Sequence, residues 1–289
     1  MKQYNDDIFE LYLDPTTDYQ IKLRLKNFTP PASGNIDMTS MTADEAQTTI
    51  LAALAAGFTE IKLTGELSKT GIGGNWGTFI NNKKITKCDL TGVTDWGRTP
   101  TLPELAFSNC TALQEVTLPD DMKVIGTGAF FGCAALTTVN LSQVTWINLN
   151  AFWGCTSLET LALDNVTAIG QEAFYGCTGL ETLKIPKCTQ FGNYIVSGCK
   201  ALTRIEATAA GDFVDISDGR SSIERTAVFH NRDSHYGDSA FNPAKCDLVL
   251  NADKKQDGNA TPKVFSDNEW LVMPNGQLMR WNSITFAQQ

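Results

Sequence analysis

The sequence predicts an α/β solenoid: one elongated body of stacked coils with one short strand per coil and special ends. Three observations predict it. A cysteine returns at Cys110, Cys133, Cys155, Cys177 and Cys199, in steps of 23, 22, 22 and 22 residues, and a fixed period in this range marks coils that cannot bury their apolar face alone. Three places after each cysteine a leucine opens an apolar pattern at i, i+3 and i+5: Leu113/Val116/Leu118, Leu136/Val139/Leu141, Leu158/Leu161/Leu163, Leu180/Leu183/Ile185 and Leu202/Ile205/Ala207. The last two of each triplet alternate in and out, as a strand requires. Finally, an Ala-Phe pair precedes four of the cysteines, at Ala106-Phe107, Ala129-Phe130, Ala151-Phe152 and Ala173-Phe174, and decays to Ile195-Val196 before Cys199.

Along the chain, residues 1–41 read as an N-terminal β-hairpin cap. Ile8–Leu13 and Tyr19–Leu25 both alternate, and Asp14-Pro15-Thr16-Thr17-Asp18 lies between them. Residues 42–101 hold longer, irregular repeats. They begin with a helix: Thr42-Ala43-Asp44-Glu45 is a capping box, Ile50, Leu51 and Leu54 make an apolar face, and Gly57 stops it. Ile61/Leu63 and Ile85/Cys88/Leu90 are the strands of this part.

Residues 102–207 are the regular array. After each strand comes a polar turn, then an isoleucine-glycine step at Ile125-Gly126 and Ile169-Gly170, with Ile147 and Phe191-Gly192 as variants. The Ala-Phe pair follows on a short helical turn that buries the ring. Residues 208–289 hold degenerate repeats, with rungs at Ala227/Phe229 and Leu248/Leu250 and a second Ala-Phe pair at Ala240-Phe241. A C-terminal cap takes the apolar tail Trp270–Met273, Trp281, Ile284 and Phe286. Counting repeats predicts about eight to nine rungs.

The pattern Leu-x-x-Leu-x-Leu, a spacer, then Ile-Gly-x-x-Ala-Phe-x-x-Cys resembles the BspA-type leucine-rich repeat, a bacterial surface-antigen class. The resemblance implies a right-handed leucine-rich repeat solenoid with one short parallel strand per coil and short helices on the convex side. It also implies a secreted or surface-attached bacterial protein used in adhesion or protein recognition.

Composition narrows the partners. The formal charge is −9 with 19% charged and 42% hydrophobic residues, which argues for a folded chain and against nucleic acid or an anionic membrane as partner. The longest apolar run, Ile50–Phe58, is far short of the roughly 20 residues that span a bilayer, so no membrane span is expected. Met1–Asp7 lacks the apolar core of a signal peptide. Either the protein stays inside the cell, or the chain begins after a removed signal; the family resemblance selects the exported, extracellular or cell-surface case. Sequons stand at Asn27, Asn109, Asn140, Asn165 and Asn259, and Asn109, inside the repeat core, reads as chance.

Catalytic, metal and cofactor chemistry finds little support. No two of the eight cysteines are closer than eleven residues, unlike the short spacing of zinc sites. Side chains stacked on parallel strands roughly 4.8 Å apart point the same way, which disfavours disulfides between neighbours; free, buried thiols are expected. His230 and His235 sit in a polar loop. The segment Asp253–Gly258 has Lys255 at a calcium-ligand position, and Gly71–Asn75 lacks the lysine of a phosphate loop. No cofactor and no enzyme activity are expected.

Two surfaces remain. The residue after each buried phenylalanine gives a column, Phe131, Trp153 and Tyr175, flanked by Ser108 and Ser197. Exposed, it would hold a glycan or a partner protein by flat contact; packed, its rings would rest on one another as core. The outward strand positions give Glu115, Thr138, Thr160, Thr182, Arg204 and Thr117, Asn140, Ala162, Lys184, Glu206. This face is a contact surface for a protein partner or a plain solvated sheet.

Overall fold

The computed structural model describes residues 9–14, 20–25, 31–74, 77–210, 214–216, 242–251, 265–266, 269–272 and 278–287. Phe9–Asp14 (β1) and Gln20–Leu25 (β2) pair antiparallel in a sheet of their own. Asn35–Asp37 (β3), the helix Ala43–Ala55 (α1) and Glu60–Glu66 (β4) make a parallel strand-helix-strand unit. The predicted capping box is present: the Thr42 hydroxyl accepts from the Glu45 amide, and the Thr42 amide donates to Glu45 Oε2 at 2.8 Å. Those donors, the Thr42 amide first and its hydroxyl second, hold the Glu45 carboxyl below its ordinary pKa. Ala46, Ile50 and Leu54 form the buried i, i+4 stripe. Leu51 lies one residue around the helix and is exposed, so it is not part of the core face expected of it.

After the short helix Leu67–Thr70 (α2) the chain settles into alternation between a front strand and a back strand. The order runs Lys87–Thr94 (β5), Thr101–Leu102 (β6), Glu115–Thr117 (β7), Val124–Ile125 (β8), Thr138–Val139 (β9), Trp146–Ile147 (β10), Thr160–Ala162 (β11), Ala168–Ile169 (β12), Thr182–Lys184 (β13), Gln190–Phe191 (β14), Arg204–Ala207 (β15) and Val214–Asp215 (β16). Even-numbered members from β6 to β16 form one continuous six-stranded parallel back sheet. The front strands form two five-stranded parallel sheets, β3-β4-β5-β7-β9 and then β11-β13-β15 continuing to Asp247–Asn251 (β17) and Ser283–Ala287 (β21). Between those last two, Phe265–Ser266 (β18), Glu269–Val272 (β19) and Leu278–Arg280 (β20) make an antiparallel sheet.

The protein is thus an α/β repeat solenoid of parallel strands, and it differs from the sequence expectation in four details. Each regular coil has two strands, because the isoleucine-glycine step is itself a two-residue strand. Where a short helix was expected, the Ala-Phe segment is a run of turns. Here amides take acceptors alternately from their own coil and from the next: Phe131 donates to Gly128 and Cys133 to Phe130, while Phe130 donates to Ala151 and Gly132 to Trp153. A helix needs every amide for its own ladder, so this sharing excludes one.

The third difference concerns the rung expected at Ala227/Phe229. Leu248 and Leu250 pair directly with Ile205 and Ala207, which leaves no place for a rung between them; residues 227, 229, 240 and 241 lie outside the described residues. Fourth, Ser283–Ala287 extends the front ladder as its last described strand, parallel to β17, and brings the described front strands to ten. Ile284 and Phe286 pack against the core from it. His230, His235, the segment 253–258 and the sequons at Asn27 and Asn259 also lie outside the described residues. No helix among the described residues is long and apolar enough to cross a membrane.

The core between the two sheets is a single spine. Phe79, Phe107, Phe130, Phe152 and Phe174 stack in sequence with centroids 5.4, 5.7, 5.1 and 5.6 Å apart. The residue just before each cysteine adopts a left-handed backbone: Asn109 at φ 57°, then Gly132, Gly154, Gly176 and Gly198 at 69°, 71°, 68° and 75°. Glycine meets that demand without a Cβ penalty and asparagine tolerates it, which explains the Asn-Cys and Gly-Cys pairs.

Candidate binding face

Register fixes what the front sheet presents. In the first half, Glu60, Lys87, Glu115 and Thr138 lie in one row, and Asn35, Lys62, Asp89 and Thr117 in the next. Opposite charges therefore face each other across strands. Lys62 Nζ meets Asp89 Oδ2 at 2.7 Å, and Lys87 Nζ sits 3.8 Å from Glu60 and 3.7 Å from Glu115. Partial burial works to raise the Asp89 pKa, but hydrogen bonds from Lys62 and Thr91 outweigh it and leave the carboxyl below its ordinary value. A shallow depression of about 260 Å³ occupies this half, lined by these charged groups together with Ile61 and Cys88. Glu60, Lys62, Lys87 and Asp89 were not among the sequence candidates. The alternation around Ile61/Leu63 and Cys88/Leu90 was the signal that could have exposed them.

The second half is different in chemistry. Thr160, Thr182 and Arg204 share a row with Asp247 and Ser283, and Ala162, Lys184 and Glu206 share the adjacent one with Val249 and Thr285. Arg204 Nε donates to Glu206 at 2.6 Å, and Lys184 approaches Asp164 at 4.0 Å. Hydrogen bonds from Ser283 and then Asn282 hold the Asp247 carboxyl below its ordinary pKa. Thr160, Lys184 and Arg204 are exposed, Thr182 half-buried, and all four lie together. Thr138, also exposed, belongs to the other sheet. Asn140, one of the outward positions, turns back: its amide exchanges hydrogen bonds of 2.7 and 2.8 Å with the Leu118 backbone.

The aromatic column exists and is closed on itself. Phe131 stacks on Trp153 at 4.5 Å and 7°, and Trp153 on Tyr175 at 5.4 Å and 1°. Phe131 and Trp153 are half-buried, Tyr175 is buried, and Ser108 and Ser197 at the ends of the column are buried as well. A sugar stacks on a ring face, and the facing surfaces of these rings are occupied by one another. Among the described residues, Trp146 on β10 and Leu149 in the turn that follows it are exposed large apolar side chains.

All eight cysteines are free and buried. In the array each thiol donates to the carbonyl of the spine phenylalanine one coil back: Cys110 to Phe79 at 2.8 Å, Cys133 to Phe107 at 3.0 Å, and Cys155, Cys177 and Cys199 to Phe130, Phe152 and Phe174 at 3.1 Å. Burial pushes the Cys110 and Cys177 thiols up to about 12 and the Cys133, Cys155 and Cys199 thiols well above their ordinary range. They are hydrogen-bond donors of the core, and their burial disfavours the thiolate form that nucleophilic cysteines use. Phe79 carries the spine into the coil of Ile85/Cys88/Leu90, and the motif did not reveal it because Asn82 stands where a cysteine would be. Among the described residues no cluster of three or more His, Cys, Asp and Glu could hold a metal ion.

Residues 78–203 match the family model of the BspA type leucine rich repeat region, in six copies. No curated protein matches the chain. Similar solved structures include a leucine rich repeat protein of T. pallidum, at 19% identity and TM-score 0.43, over 74% of this chain and 84% of that one. Another is a leucine-rich repeat protein from Bacteroides ovatus, at 23% identity and TM-score 0.45, over 73% of this chain and 50% of that one. A third is a leucine rich cell surface protein from Faecalibacterium prausnitzii, at 21% identity and TM-score 0.36, over 73% of this chain and 57% of that one. The matched part thus amounts to about half the length of the last two chains.

Proposed function

From the premise that residues 78–203 form a BspA-type leucine-rich repeat array, we propose that the chain is a non-enzymatic protein-interaction module. We further propose that it is displayed at, or secreted from, a bacterial cell and serves in adhesion. The observation that carries the reading is the front sheet: the ten described parallel strands, in two plates, line up outward side chains in rows. Within each plate such rows give a broad surface with charged and hydroxyl groups at fixed spacing, suited to a protein partner. Contact falls on Thr160, Thr182, Lys184 and Arg204 in the second plate and on Thr138 with the charged rows in the first.

The test is a comparison of partner capture. Immobilised protein is incubated with proteins of bacterial envelopes and of host extracellular matrix, and bound species are identified for the unaltered chain and for a Thr160→Arg/Lys184→Glu/Arg204→Glu variant. Loss of a partner in that variant, with retention in Trp153→Ala, is the expected result. Retention of every partner by the triple variant would sink the front-face assignment. Binding to a glycan array that Trp153→Ala abolishes and the triple variant spares would favour a carbohydrate ligand instead. Export is checked separately, by locating the protein in fractionated cells.

A further inference from the structure

In the front sheets the two amides that open each strand normally donate to one carbonyl of the preceding coil. Gln114 and Glu115 donate to Thr86, Thr137 and Thr138 to Gln114, Glu181 and Thr182 to Glu159, and Thr203 and Arg204 to Glu181. The corresponding pair, Glu159 and Thr160, would donate to Thr137, and among the described residues neither bond is made. Consistently, β9 and β11 are not paired, and the front ladder divides there.

Side-chain burial reports the same opening independently. At the inward strand position Val116 is 1% exposed, Leu183 0% and Ile205 0%, whereas Leu161 rises to 7% and Val139 is only half-buried. The back of the same step is intact. Trp146 and Ala168 pair in register, Phe130 and Phe152 stack at 5.1 Å, and Cys155 reaches the Phe130 carbonyl at 3.1 Å. At the rim of the step the Ser157 amide and the Thr156 hydroxyl both reach Ala134 O at 3.1 Å.

We infer that the β9–β11 step is a hinge: the front sheet opens and closes there about the continuous back sheet and phenylalanine spine, changing the angle between the plate of β3 to β9 and the plate of β11 to β21. A sheet missing one pair of ladder bonds over a packed spine has its weakest resistance to bending at that step. The partner-facing surface is then two rigid plates whose relative tilt adapts, and the hinge stands whether or not the front face binds protein.

Amide hydrogen exchange resolved by residue is the direct test on the unaltered chain. Glu159 and Thr160 are expected to exchange about tenfold or more faster than Thr138, Glu181 and Thr182. Equal protection at these five amides would overturn the inference. A second measurement separates a hinge from a fixed gap. Nitroxide pairs at Thr138→Cys/Thr160→Cys and Thr160→Cys/Thr182→Cys probe neighbouring steps, since the native thiols are all buried. The first pair is expected to show the wider distance distribution; equal widths would rule out motion at the step.

Discussion

The two sides of each coil obey different rules. Along the back, every step from β6 to β16 is paired, the phenylalanines stack without interruption and each cysteine finds the same carbonyl. On the front, rows of alternating charge give way to a mixture of threonines and charges, Asn140 bends back onto Leu118, and among the described residues the ladder breaks between β9 and β11. The difference teaches that repetition in this sequence belongs to packing, while individuality is confined to the side facing solvent, where substitutions carry little energy and recognition has room to vary.

Four experiments press on that contrast. The largest effect is alkaline. The buried thiols have pKa values raised above the ordinary 9.0, to about 12 for Cys110 and Cys177. The native state therefore binds their protons more tightly than the unfolded chain. Their contribution is complete below pH ~9 and is lost as pH rises toward ~12. Denaturation midpoints measured from pH 8 to 12 should fall steeply above pH 9, and a flat profile would contradict burial of the thiol ladder.

Next, Phe152→Ala removes the ring stacked between Phe130 and Phe174 and should cost about 3–5 kcal/mol in chemical unfolding. Cys155→Ala removes one donor to the Phe130 carbonyl and opens a small void; a loss of about 1–2 kcal/mol is expected. Last comes the front: Thr160→Ala, on an exposed side chain with no amide ladder bond, should change stability by no more than about 0.5 kcal/mol. If Thr160→Ala proved as costly as Cys155→Ala, the division of labour between the two sides would fall.

The spine was legible in sequence because its constraint is local and repeated. Burying Phe130 or Cys155 needs one residue type at one place in each coil, and periodicity reports that directly. Two-residue back strands such as Trp146–Ile147 are too short to show alternation, so they read only as an isoleucine-glycine step or its variant. The turn that replaces the expected helix was hidden because its amides bond to residues about 22 positions ahead, and local propensity cannot see such a partner. The rung at Leu248 and Leu250 was placed one step too far because Ala227 and Phe229 satisfy the spacing by chance. On the front, the charged rows of Glu60, Lys62, Lys87 and Asp89 flank Ile61 and Cys88, whose rungs the spacing did place, but outward positions were read only in the regular array. The missing bonds at Glu159 and Thr160 leave no mark on composition at all.

The shared turn amides carry one more consequence. Because Phe130 donates forward to Ala151 while Cys155 donates backward to Phe130, each coil is the mould on which its neighbour is cast. Lengthening or shortening the array is therefore quantised. Excising the 22 residues from Ala134 through Cys155 joins Cys133 to Thr156 and brings one mould edge against an equivalent one. Removing three or four residues in the same place leaves no complementary edge to meet.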